Sequence, residues 1–395
     1  MKQKFLSLFI VVFFTTAFSF FQVFAEPMYS PTWGFSIDLP QGYYYVDGNS
    51  RDRFTFEGPS DTLFDIRVYN GEYSTIEELI TDVNRRLGNQ GATSFFNYRG
   101  KIAAIIELKF SDIEGWGLCV ELTKVNSAGT QAANTPFLLA LSYGPAGKNE
   151  LHLLHMSVLD SIAPSPAERL YPGPIMEFGF PRGERKLMPI AKTELSALFY
   201  ENDAEAAQVL IDREFEILKI YQFSGEWEKA WIRFYRAIYR DSWDRVADAA
   251  FRLERHWNAR NAAEQQINIP GRYDESRALA ESTLNWVQSF KYERDLAGSD
   301  FVNLVTAVTE GRGDCDSRAL LWAMILNSAN IRSGIMVSRN HSHAMGLTDV
   351  DGPGARFEAG GVKWLVAETT TDVGIGLIAQ SVSDIESWLG VFFTE

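Results

Sequence analysis

The stretch from Gly311 to Leu321 constrains this chain most, because it joins a turn to a helix at one of only two cysteines. Gly311 and Gly313 allow positive φ or a close backbone approach, so a tight turn can place Cys315 in the first turn of the next helix. An apolar stripe at helical spacing begins at Ala319 and predicts that this helix packs against a core. The unpaired N–H groups and the dipole of the helix start favour a thiolate, the nucleophilic form of cysteine.

The acids beside the cysteine oppose this effect, since the negative charges of Asp314 and Asp316 disfavour a second one. A cationic partner is therefore needed, and histidine is the usual choice. Predicted strands downstream carry His341 and His343, which are two residues apart and hence on one face, so periodicity alone leaves both open. A later strand carries Glu368. Cysteine, histidine and an acid on separate elements are what nucleophilic acyl chemistry requires.

The region from about Tyr273 to Asp384 resembles the transglutaminase-like superfamily in the order of these motifs. It has the Gly-x-Cys helix start, the His-Ala strand and a third strand with the acid, and Tyr292 to Asp295 is similar to the Tyr-x-x-Asp segment of that family. This resemblance implies a papain-related α+β domain.

The same resemblance implies a role for each residue of the triad. Cys315 would be the nucleophile, His343 the general base and acid, and Glu368 the orienting acid. His343 is favoured over His341 because alanine follows it. Many family members have Asp followed by Pro where this chain has Glu368 and Thr369.

Each candidate has a simpler structural alternative. A cysteine at a helix start can be a small core residue. Glu358, Asp349 and Asp351 compete with Glu368, although Asp351 opens a Gly-Pro-Gly turn in which a carboxylate would be solvated. A disulfide to Cys119 is not expected, because the two cysteines fall in different predicted domains.

The function predicted from these residues is thiol-dependent acyl transfer on peptide or protein amides. The enzyme would be a cysteine peptidase, which is a hydrolase, or an acyltransferase of transglutaminase type. The alternative is a non-catalytic module of the same fold that binds a peptide or a partner protein. No cofactor and no metal are expected, because residues 349–352 are too short for a calcium loop of EF-hand type.

The first 25 residues have the layout of a secretory signal peptide. A basic start is followed by an apolar run from Phe5 to Phe21 and by Val23-Phe24-Ala25 as the cleavage site. The run is long enough for an uncleaved anchor. We therefore expect an exported protein, periplasmic or secreted, with no other membrane contact.

Composition narrows the range of partners. The formal net charge of −14 argues against nucleic acid and against an anionic membrane surface. A peptide or protein substrate is compatible with this charge.

The predicted domains form an α+β chain with an antiparallel N-terminal sheet, a helical middle and the transglutaminase-like C-terminus. The N-terminal part resembles PsbP-like sandwich domains in its opening strand, Gly34 to Pro40, and in its closing Ser-x-x-x-Ser-Ile segment. This resemblance implies a binding module or an inert structural module. His152 and His155 are predicted to be packing or surface residues. The predicted boundaries are 1–25 (signal peptide), 26–165 (sandwich domain), 166–190 (linker rich in Pro and Gly), 191–268 (helical segment) and 269–395 (transglutaminase-like domain).

Local patterns predict particular elements within these domains. A capping box from Ser74 to Glu77 predicts the helix that ends at Leu87. The helical segment is predicted as three helices, with Asp241 or Ser242 capping the third. Its aromatic stripes are typical of a core and less often of one wall of a substrate cleft. A polar loop over 258–272 and a short helix over 383–393 complete the prediction.

Overall fold

The computed structural model describes residues 27–123, 135–265, 274–294 and 299–393. The chain is of mixed α+β type, as predicted. The signal peptide predicted for residues 1–25 lies outside the described residues.

Runs of strands are separated by helices along the described chain. The strands are β1 Met28–Tyr29, β2 Ser36–Ile37, β3 Tyr44–Gly48, β4 Arg53–Glu57, β5 Leu63–Tyr69, β6 Thr93–Tyr98, β7 Lys101–Lys109, β8 Ile113–Glu121, β9 Phe137–Pro145, β10 Arg185–Pro189, β11 Ser196–Tyr200, β12 Lys291–Tyr292, β13 Arg312–Gly313, β14 Ser333–Ser338, β15 His343–Thr348, β16 Arg356–Ala359, β17 Val362–Ala367 and β18 Leu389–Phe392. The helices are α1 Ile76–Leu87, α2 Leu151–Asp160, α3 Pro174–Gly179, α4 Asp203–Ile220, α5 Trp227–Gln265, α6 Glu275–Gln288, α7 Leu304–Glu310 and α8 Cys315–Ser328.

The N-terminal sheet has seven antiparallel strands in the order β3-β4-β5-β9-β8-β7-β6. Helix α1 covers one face and α2 the other. Strand β8 shows this: Cys119 packs in the apolar cluster under α1, whereas its neighbours Leu118 and Val120 pack in the cluster on the face covered by α2. A strand buried on both faces is apolar without alternation, which explains the apolar sequence of β8.

Helix α1 begins one residue later than its predicted capping box. Thr75, not Ser74, is the N-cap, and its side chain accepts a hydrogen bond from the N–H of Glu78 at 3.2 Å. The carboxylate of Glu78 in turn accepts from the N–H of Ser74. Gly88 ends the helix in the left-handed region at φ 67°, where a side chain would be strained.

The C-terminal sheet has five antiparallel strands in the order β16-β17-β15-β14-β18. Helix α8 packs across one face. There Gly346 leaves room for the ring of Trp322, whose atoms lie 2.5 Å from where a Cβ would be. The other face carries a separate apolar cluster that includes Met345 and Trp364.

The helical middle differs from its prediction in two places. Ser196–Tyr200 is a strand paired with Arg185–Pro189, although Leu195 to Phe199 have helical spacing. Helix α5 is one continuous helix of 39 residues instead of two helices. No Gly or Pro interrupts it, and Asp241 does not cap a new helix but pairs with Arg245 one turn later, at 2.8 Å.

Two more predicted segments are wrong in part. The polar loop expected over 258–272 is helical through Gln265, and residues 266–273 lie outside the described residues. The expected C-terminal helix is absent from the described tail. Asp384 caps a single 3₁₀ turn, and Leu389–Phe392 then pairs with β14, because an apolar segment beside a sheet edge gains a full ladder of hydrogen bonds.

The segment 166–190, predicted as a linker, contains the helix α3 and the strand β10. Pro174 occupies the first turn of α3, where its missing N–H costs nothing. The N-terminal domain also contacts the helices through buried charges. Arg213 bridges Asp160 at 2.6 Å and Glu214 at 2.9 Å, and Arg233 binds Glu214 at 2.6 Å.

No helix within the described ranges is both long and apolar enough to cross a bilayer.

The histidines of α2 have packing roles. His155 is buried and its Nδ1 lies 2.9 Å from Ser142 Oγ, while the exposed His152 accepts from Trp116 Nε1 at 3.1 Å. Burial, and to a smaller extent the charge of His152, lower the pKa of His155 from 6.5 to about 4.

We predict that this buried imidazole makes stability depend on pH. As pH falls through 6.5 the unfolded chain binds a proton at His155, whereas the folded protein does so only near 4. The free energy of unfolding therefore falls with pH across this window, by roughly 2 kcal/mol at pH 5. His155→Gln should reduce the difference in unfolding free energy between pH 7 and pH 5 by about this amount, measured by chemical denaturation. His152→Gln is the matched control, and an equal effect of both variants would contradict the prediction.

Candidate active site

The turn before α8 has the geometry that its glycines predict. Gly311 ends α7 with a φ of 65°. A Cβ at position 313 would lie only 3.1 Å from the Cβ of Ser317, so glycine suits the close approach there. Asp314 is the N-cap of α8, and its Oδ1 accepts from the N–H of Ser317 at 2.8 Å and from the Ser317 hydroxyl. Cys315 thus opens the helix, with its residue surface 5% exposed.

His343 and Glu368 meet at one end of two neighbouring strands. Strands β15 and β17 pair with Gly346 opposite Ala367, so the start of β15 lies beside the end of β17. The His343 Nε2 is 2.8 Å from Glu368 Oε2. The other oxygen, Oε1, accepts from the N–H and hydroxyl of Thr370 at 2.7 and 2.6 Å. Both carboxylate oxygens are thereby held in place.

The carboxylate of Glu368 is stabilised in its charged form. Burial alone would raise the pKa of Glu368, but the hydrogen bonds from His343 and Thr370 outweigh it and bring the pKa below its usual range. A charged carboxylate on Nε2 leaves Nδ1 as the imidazole nitrogen that can serve another partner.

The sulfur of Cys315 has other contacts. Its thiol donates to Asp316 Oδ2 at 3.3 Å, and it lies beside the backbone N–H of Ala344, the residue after His343. Burial, followed by the charges of Asp316 and Asp314, raises the pKa of Cys315 well above that of a free thiol, and the Ala344 N–H offsets only part of this. Burial and the two acids therefore affect the pKa of Cys315 more than the helix start does, and the favoured form of Cys315 is the neutral thiol. Among the described residues no hydrogen bond joins Cys315 to His343.

The two histidines do not share a strand face. Ser342, between them, has φ 48°, so the alternation expected for a strand is broken and His341 lies in the turn. Its ring stacks on Trp388 at 5.5 Å between centroids, and its buried Nε2 has no partner. The prediction that both histidines lie on one strand was wrong, because His341 lies in the turn before it. Both rings nevertheless contact Trp388, that of His343 at 6.2 Å between centroids.

The competing acids lie elsewhere. Asp349 pairs with Arg332 at the surface, Glu358 lies 4.0 Å from Lys363, and the Asp351 carbonyl accepts from Arg277. Of the four acids considered from the sequence, Glu368 is the one that contacts His343.

Arg318, which sequence reasoning did not single out, holds the site together. It is 1% exposed and donates to three backbone carbonyls: Gly313 at 3.1 Å, Phe290 at 2.7 Å and Thr369 at 3.4 Å. These carbonyls belong to the turn before Cys315, the end of α6 and the residue after Glu368. The guanidinium of Arg318 thus fixes the turn before Cys315 relative to the segment that carries Glu368.

Two tyrosines border the sulfur. The parallel pair β12 and β13 sets Tyr292 opposite Gly313, and burial together with the charge of Cys315 raises the pKa of Tyr292 to about 12. From α5, the hydroxyl of Tyr235 donates to Asp316 Oδ1. Only the Tyr-x-x-Asp resemblance pointed to Tyr292, and no local signal pointed to Tyr235, because a single contact between distant helices leaves no pattern.

The described residues were searched for groups of metal ligands and for disulfides. In the described ranges no group of three or more His, Cys, Asp or Glu is placed to hold a metal ion. Cys119 and Cys315 are both free and buried, so the disulfide that we did not expect is not formed.

No protein-family model matches this chain, and the search of curated proteins finds no match either.

We predict that Asp316→Asn makes the thiol more reactive. The change removes the second largest cause of the raised pKa, so the thiolate fraction at pH 7 and the rate of alkylation by iodoacetamide should rise several-fold, roughly tenfold per pKa unit. Peptide mass spectrometry would measure the rate at Cys315. Asp349→Asn, which removes a distant surface charge, should leave the rate unchanged. An unaltered rate in Asp316→Asn would show that the acid does not control the thiol.

We also predict that Arg318→Met destabilises the protein by about 3–5 kcal/mol, because the buried carbonyls of Phe290 and Thr369 lose this donor and that of Gly313 keeps only the N–H of Glu293. Arg332→Met, which removes a surface ion pair, should cost less than about 1 kcal/mol. Urea denaturation measures both. Similar losses for the two variants would contradict the organising role of Arg318.

Proposed function

We propose that this protein is a thiol-dependent acyl-transfer enzyme acting on peptide or protein amides, with Cys315 as nucleophile, His343 as base and acid, and Glu368 as orienting acid. The observation that carries the proposal is the 2.8 Å contact between His343 and Glu368, next to the Ala344 N–H that borders the Cys315 sulfur. Nucleophilic catalysis needs an imidazole of fixed orientation that the thiol can reach, and these two contacts support that arrangement.

The chemistry starts from the neutral thiol. The sulfur rotates from Asp316 toward His343, whose Nδ1 takes the proton as Sγ attacks the amide carbon. The Cys315 backbone N–H, at the helix start, donates to the oxyanion. When the C–N bond breaks, the imidazolium returns the proton to the leaving amine. Water or an amine then loses a proton to His343 as it attacks the thioester carbon, and the C–S bond breaks to release the product while the imidazolium returns the proton to the Cys315 sulfur. We favour water, which makes the enzyme a peptidase.

Glu368 acts on His343 alone in this scheme. Its charged carboxylate holds the Nε2–H, fixes the tautomer with Nδ1 free to accept, and stabilises the imidazolium that forms. Glutamate replaces the aspartate common in the transglutaminase-like superfamily, and the hydrogen bonds from Thr370 hold its longer side chain in place.

The alternative is a non-catalytic module of the same fold that binds a peptide or partner protein. One observation favours it: the sulfur of Cys315 is nearly buried and donates to Asp316, without a hydrogen bond to His343 within the described chain. A thiol held this way needs a side-chain rotation before it can react.

The remaining proposals concern location and the rest of the chain. We infer export to the periplasm or the medium from the apolar N-terminal run, with the N-terminal domain as a PsbP-like adaptor. The segments 26–165, 191–268 and 269–395 would be the sandwich, the helical layer and the transglutaminase-like domain.

The test compares the two histidines. Alkylation of Cys315 by iodoacetamide at pH 7, followed by peptide mass spectrometry, should slow about tenfold or more in His343→Gln, because general-base assistance contributes at least that much. His341→Gln is the matched control and should change the rate less than twofold. Cys119, which is fully buried, should stay unmodified in the folded protein.

Two results would decide for the binding module. The first is a Cys315 that iodoacetamide does not modify at all in the folded protein. The second is a rate that stays the same when His343 is replaced. Together they would remove the basis of the catalytic proposal.

A further inference from the structure

A tryptophan from the C-terminal tail contacts the histidine of the candidate centre. Trp388 directly precedes β18, is 7% exposed and belongs to the apolar cluster on the sheet face opposite α8. Its ring lies 6.2 Å from that of His343 between centroids, at an interplanar angle of 69°. The ring of His341 stacks on the same indole at 5.5 Å and 29°. One indole therefore contacts both histidines at this end of β15.

The register of the sheet brings the indole to this place. Strand β18 pairs with β14 through Leu389 and Val337, and β14 pairs with β15 through Ser338 and His343. Trp388, one residue before Leu389, thus lies at the end of the sheet that carries His343. Two strand spacings, roughly 10 Å, separate the two backbones. The small side chain of Ser338 on the strand between them leaves room for the indole to reach across.

The indole is itself held in one orientation. Its Nε1 donates to the Val382 carbonyl at 3.0 Å, and its ring packs in the same cluster as Met336. The residue before it, Ser387, accepts a hydrogen bond from the Asn340 amide at 3.3 Å, which ties the tail to the turn that carries the histidines. Trp388 is therefore a fixed surface against which the His343 ring can rest.

A fixed surface supplies what the hydrogen bond to Glu368 cannot supply alone. That bond, at 2.8 Å, holds one atom of the His343 ring, Nε2. The χ2 torsion of histidine has broad minima, so the ring plane can still tilt about this bond. The side chains of His343 and Glu368 are only 18% and 11% exposed, and the indole contributes to this cover. Hydrogen bonds are stronger where water is excluded.

We propose that Trp388 is a positioning residue for the candidate centre. Its indole fixes the plane of the His343 ring and keeps water away from the hydrogen bond between His343 and Glu368. The importance of this role for activity rests on the proposed function, because it concerns the imidazole that would act as base. The shielding of the hydrogen bond does not depend on catalysis and can be measured by itself.

The alternative is that Trp388 only fills the apolar cluster, and Trp364 is the residue that separates the two roles. Trp364 belongs to the same cluster, is 8% exposed, and its Nε1 also donates to a backbone carbonyl, that of Ala359 at 3.1 Å. Its ring packs on Phe392 at 4.6 Å, and within the described ranges it contacts no histidine ring. Replacing Trp364 therefore removes a similar amount of packing without touching His343.

The experiment has two readouts on the full chain. In protein labelled with 15N at histidine, NMR in water detects the Nε2–H of His343, assigned by its loss in His343→Gln. A ring N–H is observed only where its exchange with water is slow. The second readout is the rate at which iodoacetamide alkylates Cys315. The variants are Trp388→Leu and Trp388→Phe, with Trp364→Leu as the matched control, and urea denaturation establishes that each is folded. Trp388→Met replaces Trp388→Leu if that variant does not fold.

We expect the Nε2–H resonance in the wild-type protein and its loss in Trp388→Leu. The same variant should slow alkylation of Cys315 about tenfold, because a base of variable orientation is less often placed to take the proton. Trp388→Phe keeps a ring beside His343, so it should retain the resonance and slow alkylation less than about threefold. Trp364→Leu should leave both readouts unchanged, although it lowers stability.

Absence of the resonance from the wild-type protein, or its persistence in Trp388→Leu, would overturn the proposal. Equal losses in Trp364→Leu would show that Trp388 acts only as part of the cluster. If the resonance follows the prediction while alkylation does not depend on His343, the positioning role stands and the catalytic proposal fails. If alkylation depends on His343 but Trp388→Leu leaves both readouts unchanged, the catalytic proposal stands and the positioning role fails.

Discussion

The guanidinium of Arg318 is the interaction on which the rest of the site depends. Among the described residues no carboxylate forms an ion pair with it, and it donates to three carbonyls from three separate segments. Burial lowers the pKa of Arg318, which shows that its charge is held at a cost. The ring of Tyr292, 5.4 Å from its Cζ, offsets part of this cost. Because the turn before Cys315 and the loop after Glu368 share this one group, neither can shift alone.

Helix α5 connects this centre to the rest of the molecule. One face contributes Arg233 to the buried charge network with Glu214. Arg233 also donates to the carbonyl of Asp38, the residue after β2 in the N-terminal part of the chain, at 2.8 Å. Two residues later Tyr235 reaches Asp316. A helix of this length is rigid over both contacts. The N-terminal domain and the thiol are thus tied to the same scaffold, and no flexible segment separates these two contacts along α5.

Local sequence patterns predict part of this structure, and pairing between segments determines the rest. Strand β5 and helix α1 follow from alternation and a cap, which are properties of neighbouring residues. Both Ser196–Tyr200 and Leu389–Phe392 have sequences that favour helix, but each forms a strand because a partner strand is available. That partner is the neighbouring β10 for the first and the distant β14 for the second. The same division holds in the site. The order of cysteine, histidine and acid is visible in the chain, whereas the positive φ of Ser342 and the buried contacts of Arg318 arise only in three dimensions.

Charge around the sulfur determines which mechanism suits this centre. Burial and the neighbouring charge of Asp316 raise the pKa of Asp314, the acid that caps α8. The Tyr235 hydroxyl binds Asp316, and the thiol donates to the same carboxylate. A site arranged this way stabilises the thiol and disfavours a standing thiolate–imidazolium pair. Under the proposed function, proton removal therefore accompanies attack, and this requires an imidazole held in one tautomer. In that proposal the carboxylate of Glu368, with both oxygens hydrogen-bonded, fixes the tautomer of His343, so it is as necessary as the proposed nucleophile Cys315.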